Sequence, residues 1–306
     1  MKFINLKTGI EESVLVHPSV LCIGNFDGVH IGHRRLVDAV LEEYEILKHT
    51  YPDIVTCAWF FDSNFYKSVK EIFSITEKLD IFAELGLDYA IIAEFSEMQG
   101  LSPSEFVADI LIRECKCVHA VCGENFRFGK KASGNSALLT DLMSKKTTVL
   151  PLLTVDSEIV SSTYIRNLLA NGFIEKANTL LGSNYSIYET VVHGKKLGRK
   201  LGIPTVNQNV VSKSLIIKNG IYVTDCTLDG VRYRAVTNVG IRPTVDDNGT
   251  QNVETHIIGY TDDCYDKTVK IEFLSRIRDE MTFNSIDELK ARINSDIEIA
   301  KEYKSK

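Results

Sequence analysis

The chain has 306 residues, of which 44% are hydrophobic and 25% charged, and its formal net charge is -6. This ordinary globular composition excludes collagen-like, disordered and disulfide-scaffold proteins, and the length predicts two domains. The acidic balance disfavours nucleic acid as a partner, because a duplex-binding surface needs a basic footprint. The start has no signal-peptide pattern and no apolar run is long enough to cross a bilayer, so we expect a cytoplasmic protein without a membrane partner.

The first half of the chain alternates apolar, strand-like runs with amphipathic helical stretches. The predicted strands cover residues 20–24, 54–61, 89–93 and 118–122, and the predicted helices cover 34–48, 76–85 and about 103–114. The last of these helices has a start signal in Ser102, Pro103 and Glu105, which form a capping box with Pro at the first helical position. This order predicts a mostly parallel sheet with helices on both faces.

Seven cysteines, an odd number, indicate reduced thiols. Cys115, Cys117, His119 and Cys122 together have the composition of a zinc site. Alternation along a strand, however, directs Cys117 and His119 to one face and Cys122 to the other. We therefore expect thiols that fill the core, with a metal site as the alternative.

The pattern changes near residue 183, where we predict a boundary between domains 1–183 and 184–306. Short helices at 164–170 and 174–181, each followed by Gly, precede it. Beyond it, β-rich runs at 189–193, 220–228, 231–238, 254–260 and 268–274 have no helices between them, which predicts a small barrel or sandwich. A last helix opens at Ser285, with a second capping box closed by Glu288.

The run GNFDGVHIGH, from Gly24 to His33, is a candidate phosphate site. It lies where a predicted strand leads into a helix, so free backbone N–H groups and the helix dipole face an anion there. Gly28 and Gly32 allow close backbone approach, and His30 and His33 are suited to donate hydrogen bonds to a departing pyrophosphate. A purely structural turn is the alternative.

A second run, SSTYIR from Ser161 to Arg166, offers hydroxyls that cap a helix and an Arg that suits a forked contact with phosphate. On its own this motif is weak, and a capped helix with an exposed Arg is the favoured interpretation until it is combined with the first motif.

Taken in order, Gly24 to His33, Gly123 to Gly129 (GENFRFG) and Ser161 to Arg166 resemble the nucleotidyltransferase module of the prokaryotic bifunctional riboflavin kinase/FAD synthetase family. The resemblance implies a Rossmann-like α/β domain in which FMN attacks the α-phosphate of ATP to give FAD and pyrophosphate. It implies that the residues around ATP include catalytic His30, His33 and Arg166, together with Gly24, Phe26, Asp27, Gly28, Gly32, Asn125, Ser162 and Thr163.

The chain departs from the family pattern at Ser63-Asn64-Phe65, where the family has Pro-x-Pro with a His between, and at Tyr164, which is usually Arg. A riboflavin kinase with a weak or inactive adenylyltransferase domain is therefore an alternative.

The second part of the chain carries a denser signal, VHGKKLGRKLGIPTVN from Val192 to Asn207. Its Gly residues allow backbone amides to approach phosphates, and Arg199 adds charge. Thr205 and Asn207, two apart on an extended segment, place a hydroxyl and an amide oxygen on one side. Hard oxygen donors of this kind suit the Mg²⁺ that accompanies ATP.

This run, with NVGIRPT from Asn238 and RIRDEMTF from Arg276, resembles the riboflavin kinase signature of the same family. The resemblance implies a six-stranded barrel with a C-terminal helix, in which ATP phosphorylates riboflavin to FMN. We predict Glu280 as the base that takes the proton from the ribityl hydroxyl. The implied ligand contacts are Gly194, Gly198 and Arg199 to ATP, Thr205 and Asn207 to Mg²⁺, and Asn238, Arg276 and Glu280 to the flavin.

A non-catalytic flavin or nucleotide sensor is the alternative from a different class. The sequence also leaves a weak homo-oligomer open.

Overall fold

The computed structural model describes residues 1–6, 14–62, 70–192, 202–209, 216–241, 251–262 and 264–304. The chain divides into two compact units, Met1–Ser162 and Thr163–Lys306. The domain boundary after residue 183 stays a prediction. Across the described ranges, no helix has both the length and the hydropathy to cross a membrane.

The described strands of the first unit are β1 Lys2–Leu6, β2 Ser19–Ile23, β3 Val55–Phe61, β4 Tyr89–Ala93, β5 Cys117–Gly123, β6 Arg127–Phe128, β7 Gly134–Asn135, β8 Thr147–Leu150, β9 Thr154–Val155 and β10 Glu158–Ile159. Its described helices are α1 Ile31–Leu47, α2 Ile75–Glu84, α3 Phe95–Met98, α4 Pro103–Glu105, which continues as a π-helix over Phe106–Glu114, and α5 Ser136–Leu142.

The predicted parallel sheet is confirmed. Its strand order is β1-β4-β3-β2-β5-β8, and every neighbouring pair is parallel. The central strand β2 is buried along its whole length, in agreement with its apolar run from Val20 to Ile23. Its first residue, Ser19, is buried with its hydroxyl donating to the Cys115 carbonyl. Because all strands run the same way, the loops after β2, β3 and β5 meet at one edge of the sheet, and this edge carries the first candidate site.

Two of the described helices begin with a full capping box, of which the sequence predicted the one at Ser102. Ser74 caps α2 and Ser102 caps α4, each with a full capping box. The predicted helix at 103–114 widens into a π-helix after its first turn. The helix predicted at 34–48 begins three residues earlier, at Ile31, because the side chain of His30 serves as its N-cap.

The described elements of the second unit are α6 Ser162–Asn171, whose first residue closes the first unit, α7 Ile174–Leu181, β11 Tyr185–Val192, β12 Val206–Asn209, β13 Gly220–Leu228, β14 Val231–Ile241, β15 Gln251–Ile257, β16 Thr268–Arg278 and α8 Ile286–Glu302. The strands form a closed barrel in the order β11-β12-β15-β14-β13-β16, so the barrel is confirmed over the sandwich.

Helix α8 covers one side of the outer barrel wall. Its Ile297 and Ala300 share an apolar cluster with Val223, Val236 and Leu274 of the strands. Since side chains alternate along a strand, the neighbours of Val223 and Val236, which are Thr224 and Thr237, point into the barrel.

The start of α8 corrects one expectation. Ser285 Oγ accepts a hydrogen bond from the Glu288 N–H at 3.1 Å, as predicted. The Glu288 carboxylate, however, accepts from the Asn284 N–H rather than from the Ser285 N–H. The predicted capping box is therefore only half formed, because the carboxylate reaches one residue too far back.

Candidate active sites

The loop between β2 and α1 has a tightly wound backbone. Phe26, Gly28 and Val29 all have positive φ angles, of 49°, 82° and 36°. The Phe26 ring is fully buried and packs edge-on against Phe82 at 5.2 Å between ring centroids. This buried anchor holds a backbone conformation that Phe and Val rarely adopt, and it keeps the loop's N–H groups at the helix start.

The two predicted catalytic histidines stack on each other at this helix start. Their ring centroids are 3.6 Å apart and the planes are inclined by 14°. The Nδ1 of His30 accepts a hydrogen bond from the His33 N–H at 3.3 Å. When its ring is neutral, His30 therefore carries its proton on Nε2, where that proton is available to an anion.

Burial lowers the pKa of His30 to about 4. It also lowers the pKa of His33 well below its ordinary value, with further contributions from His30 and from the ammonium of Lys78. Both rings are therefore neutral at physiological pH. His33 Nδ1 is buried and has no hydrogen-bond partner among the described residues.

Asp27 organises the loop. Its Oδ1 accepts a hydrogen bond from the Ile72 N–H at 2.7 Å, and its carbonyl accepts one from Ser162 Oγ at 2.8 Å. This bond joins two sequence motifs that are 135 residues apart. Thr163 and Arg166 follow on α6, within the second unit.

Other predicted ATP contacts lie along the same sheet edge. Gly24 follows β2, and Asn125 is exposed in the turn after the neighbouring strand β5. Gly32 lies beside the His30 ring, where an added Cβ would be 3.2 Å from the imidazole. The departure at Ser63-Asn64-Phe65 lies outside the described residues.

Sequence reasoning missed Lys78. This lysine is fully buried on α2, forms an ion pair with Glu71 at 2.8 Å, and acts electrostatically on His33. Burial of a charged lysine beside a phosphate site is unusual, but only the tertiary structure shows that the residue is buried.

The cysteine cluster lies in the core of the same unit. Cys115, Cys117 and Cys122 are buried free thiols, and burial raises the pKa of Cys117 and Cys122 to about 12. His119 Nε2 lies 2.9 Å from Thr148 Oγ1. In the part of the chain that the structure describes, no three His, Cys, Asp or Glu side chains form a metal-binding group.

A row of polar residues crosses three barrel strands and defines the second site. Asn207 on β12 lies directly opposite Glu254 on β15, which lies directly opposite Asn238 on β14. Directly paired residues share a face with Cβ atoms about 5 Å apart. We call Asn207, Glu254 and Asn238 the outer row. Asn238 and Val236 are two apart on β14, so the row shares the outer wall with the apolar residues under α8.

Sequence reasoning identified two members of the outer row and missed Glu254. Its Oε1 accepts a hydrogen bond from Asn252 Nδ2 at 2.8 Å. Asn207 is 7% exposed, and the Oδ1 of Asn238 is buried without a partner among the described residues. The signal that locates Glu254 is the strand register, which pairs residues from three separate motifs.

Thr205 lies two residues before Asn207 and lines a pocket of about 440 Å³ at the end of the barrel. The other lining residues are mostly apolar or aromatic: Val191, Gly202, Pro204, Val206, Ile257, Tyr260, Thr261, Asp262, Cys264 and Tyr265. The predicted ATP contacts Gly194, Gly198 and Arg199 lie outside the described residues.

The predicted base Glu280 lies next to the outer row, over Gly240 of β14. Its carboxylate covers Gly240, where an added Cβ would be 3.2 Å from Glu280 Cδ. Gly240 follows Asn238 by two residues on β14, a rise of about 7 Å. Glu280 is exposed. A side chain at residue 240 would require this exposed carboxylate to move.

Arg276, predicted to contact the flavin, has protein partners in this structure. Its Nη2 donates to the Asn219 carbonyl at 3.0 Å and to Asp279 Oδ1 at 2.5 Å. These contacts lower the pKa of Asp279, with Lys218 contributing.

The fold and the two sites together define a class of protein: a two-module transferase with a parallel α/β unit of nucleotidyltransferase type and a closed barrel whose wall carries oxygen donors and carboxylates. Comparison with known proteins agrees with this class. Residues 13–164 match the family model described as FAD synthetase, and residues 181–304 match the one described as Riboflavin kinase.

The relatives align with nearly the whole chain. Bifunctional riboflavin kinase/FMN adenylyltransferases from Bacillus subtilis and Escherichia coli K12 are 31% and 32% identical, and each match covers 93% of this chain and 92% of the relative. A solved structure described as a macrolide-efflux protein from Streptococcus pneumoniae has a TM-score of 0.89 at 25% identity and covers 99% of both chains. The chain belongs to the bifunctional riboflavin kinase/FMN adenylyltransferase family.

Proposed function

We propose that the barrel phosphorylates riboflavin to FMN with Mg-ATP and that the first unit adenylylates FMN to FAD with a second ATP. The outer row is the observation that carries the kinase assignment. It places an amide oxygen, a carboxylate and a second amide within about 10 Å on three neighbouring strands. Thr205, two residues before Asn207, lines a pocket large enough for a ligand.

The residues present fit a magnesium ion held with the ATP phosphates. Thr205 and Asn207 supply neutral oxygen donors, and Glu254 lies beside Asn207 as a carboxylate. When bound, the ion neutralises charge on the phosphates. The protein's own part is to fix the donors and align the ribityl hydroxyl with the γ-phosphate.

Two carboxylates are candidates for the base, and we favour Glu254 over Glu280. Glu254 is half-buried and lies directly opposite Asn207. Glu280 is exposed and lies over Gly240, outside the outer row. A base must lie within hydrogen-bonding reach of the hydroxyl that it deprotonates. Glu254 meets this requirement if the hydroxyl is held close to the ion at Asn207. Glu280 would then lie beside the flavin.

The first unit is suited to attack of the FMN phosphate on the α-phosphate of ATP, with release of pyrophosphate. His30 and His33 are neutral, so they stabilise the leaving group as hydrogen-bond donors rather than as cations. The loop N–H groups at the start of α1 supply further donors.

Chromatography of flavin products tests both reactions. Riboflavin with Mg-ATP should give FMN and then FAD, and FMN with Mg-ATP should give FAD directly. If the chain bound both ligands but formed neither product, the sensor interpretation would hold. FMN without FAD would establish the kinase-only alternative.

Two pairs of variants assign the residues. Glu254→Gln should lower the rate of FMN formation by about 10²–10⁴-fold, and Glu280→Gln should lower it less; the reverse order would make Glu280 the base. His33→Ala should abolish FAD formation while FMN formation is retained. The matched control is His49→Ala, an exposed histidine of the same unit.

A further inference from the structure

Behind the outer row, the barrel interior contains a continuous chain of polar side chains. Thr224 and Thr237 hydroxyls lie 2.8 Å apart, Thr237 and Thr255 hydroxyls 3.0 Å apart, and Thr255 Oγ1 donates to Gln208 Oε1 at 3.5 Å. All four side chains are fully buried. We call Gln208, Thr255, Thr237 and Thr224 the interior ladder.

Three members of the ladder are chain neighbours of the outer row. Gln208 follows Asn207, Thr255 follows Glu254, and Thr237 precedes Asn238. Because consecutive side chains on a strand point to opposite faces, each ladder residue lies directly behind a row residue. The fourth member, Thr224, lies on β13 between Val223 and Asp225, and that strand carries no residue of the row.

A barrel of this size normally fills its interior with apolar side chains, which need no directional partners. A buried hydroxyl chain instead favours one relative placement of its strands, because a slipped or tilted strand would leave buried polar groups unsatisfied. The ladder does not maximise stability, since Gln208 Nε2 is buried with no partner among the described residues. Its polar groups therefore call for an explanation other than packing.

We propose that Gln208, Thr255 and Thr237 are positioning residues of the kinase site. Their hydrogen bonds to one another inside the barrel fix strands β12, β15 and β14, and thereby hold Asn207, Glu254 and Asn238 at the spacing that phosphoryl transfer requires. The inference rests on the kinase reaction proposed above. The three residues lie on β12, β15 and β14, which are neighbours in the barrel but come from different parts of the chain.

The decisive variant is Gln208→Met. It keeps the length of the side chain and removes a buried amide that lacks one partner, so the melting temperature should be unchanged or higher. The turnover number for FMN formation should nevertheless fall about tenfold to a hundredfold, because a small displacement of the row is sufficient to impair transfer. The Mg²⁺ concentration for half-maximal rate should rise, since Asn207 is the adjacent residue.

The second test compares two threonines of the same ladder. Thr255→Val and Thr224→Val each remove one fully buried hydroxyl, so both should lower the melting temperature. Thr255→Val should lower the turnover number for FMN formation much more than Thr224→Val, because Thr237 keeps its bond to Thr255 in the latter variant. Thr255→Ser, which restores the hydroxyl, should recover most of the turnover number. Riboflavin binding, followed by flavin fluorescence without Mg²⁺, should be equal in all variants.

FAD formation from FMN by the same protein is the internal control and should not change. An unchanged turnover number in Gln208→Met, or an equal fall in Thr224→Val and Thr255→Val, would overturn the proposal. If Thr255→Val does not fold, Gln208→Met decides alone. A wild-type protein that forms no FMN would instead refute the kinase assignment itself, so the two failures are distinguishable.

Discussion

Burial of His30 should make the stability of the first unit depend on pH. The side chain is 6% exposed, and its pKa is lowered from 6.5 to about 4. Between these values the unfolded chain binds a proton that the folded chain does not, so the free energy of unfolding falls as the pH falls through this window. At about pH 4.5 the contribution of His30 alone is a loss of about 2–3 kcal/mol relative to neutral pH.

The chain contains a single Trp, and Trp59 lies 1% exposed in the core of the first unit. Its fluorescence during denaturant titration therefore reports the unfolding of that unit separately from the barrel. The perturbation is His30→Asn, because Asn also caps helices well and does not titrate. Between neutral pH and about pH 4.5, the free energy of unfolding should fall by about 2–3 kcal/mol less in the variant than in the wild type.

The same titrations on His49→Asn, which replaces an exposed histidine of the same unit, should reproduce the wild-type curve. Parallel pH dependences for wild type and His30→Asn would refute the reasoning, because they would mean that His30 is protonated in the folded protein. The neutral hydrogen-bond donor proposed for adenylyl transfer would then be wrong as well.

Asp296→Asn should destabilise the barrel unit by about 3–5 kcal/mol in calorimetry, because Arg278 donates to both buried carboxylate oxygens and would lose its counter-charge. Gly220→Ala should destabilise by more than the ~1–3 kcal/mol of backbone strain, because its φ is +149° and a Cβ would lie 2.5 Å from the Arg278 carbonyl; Gly230→Ala, with φ +78° and open space, is the control. Ser162→Ala should lower kcat/KM for FAD formation about tenfold with FMN formation unchanged, because the 2.8 Å bond to the Asp27 carbonyl is lost; an equal loss of both activities in product assays would contradict this role.

Sequence predicted the fold most accurately where local signals are strong. The Ser102 capping box and the apolar runs of β2 and β4 lie where expected. Strand β12, VNQN, is missing from the predicted β-rich runs, although its start is predicted to be extended, because three of its four residues are polar and give no hydropathy signal. It is a strand because β11 and β15 pair with it from both sides.

The candidate sites show the same limit. The histidine motif and the Thr205–Asn207 pair are local in sequence, so their chemistry could be inferred from residue types. Glu254 required the register between β15 and β12, which no local pattern encodes. The depressed histidine pKa values also follow from burial, which depends on residues distant in the chain.

Helix α7 decides where the kinase half can be separated from the rest of the protein. Its Asn178 bridges two strand ends, donating to the Phe273 carbonyl and accepting from the Tyr185 N–H, and Glu175 accepts from Ser275 Oγ. Cleavage after residue 183 would strip these contacts and leave apolar surface of the barrel exposed to solvent. A recombinant fragment that begins at Thr163 retains them, and it is the shorter form in which autonomous folding and flavin phosphorylation should survive.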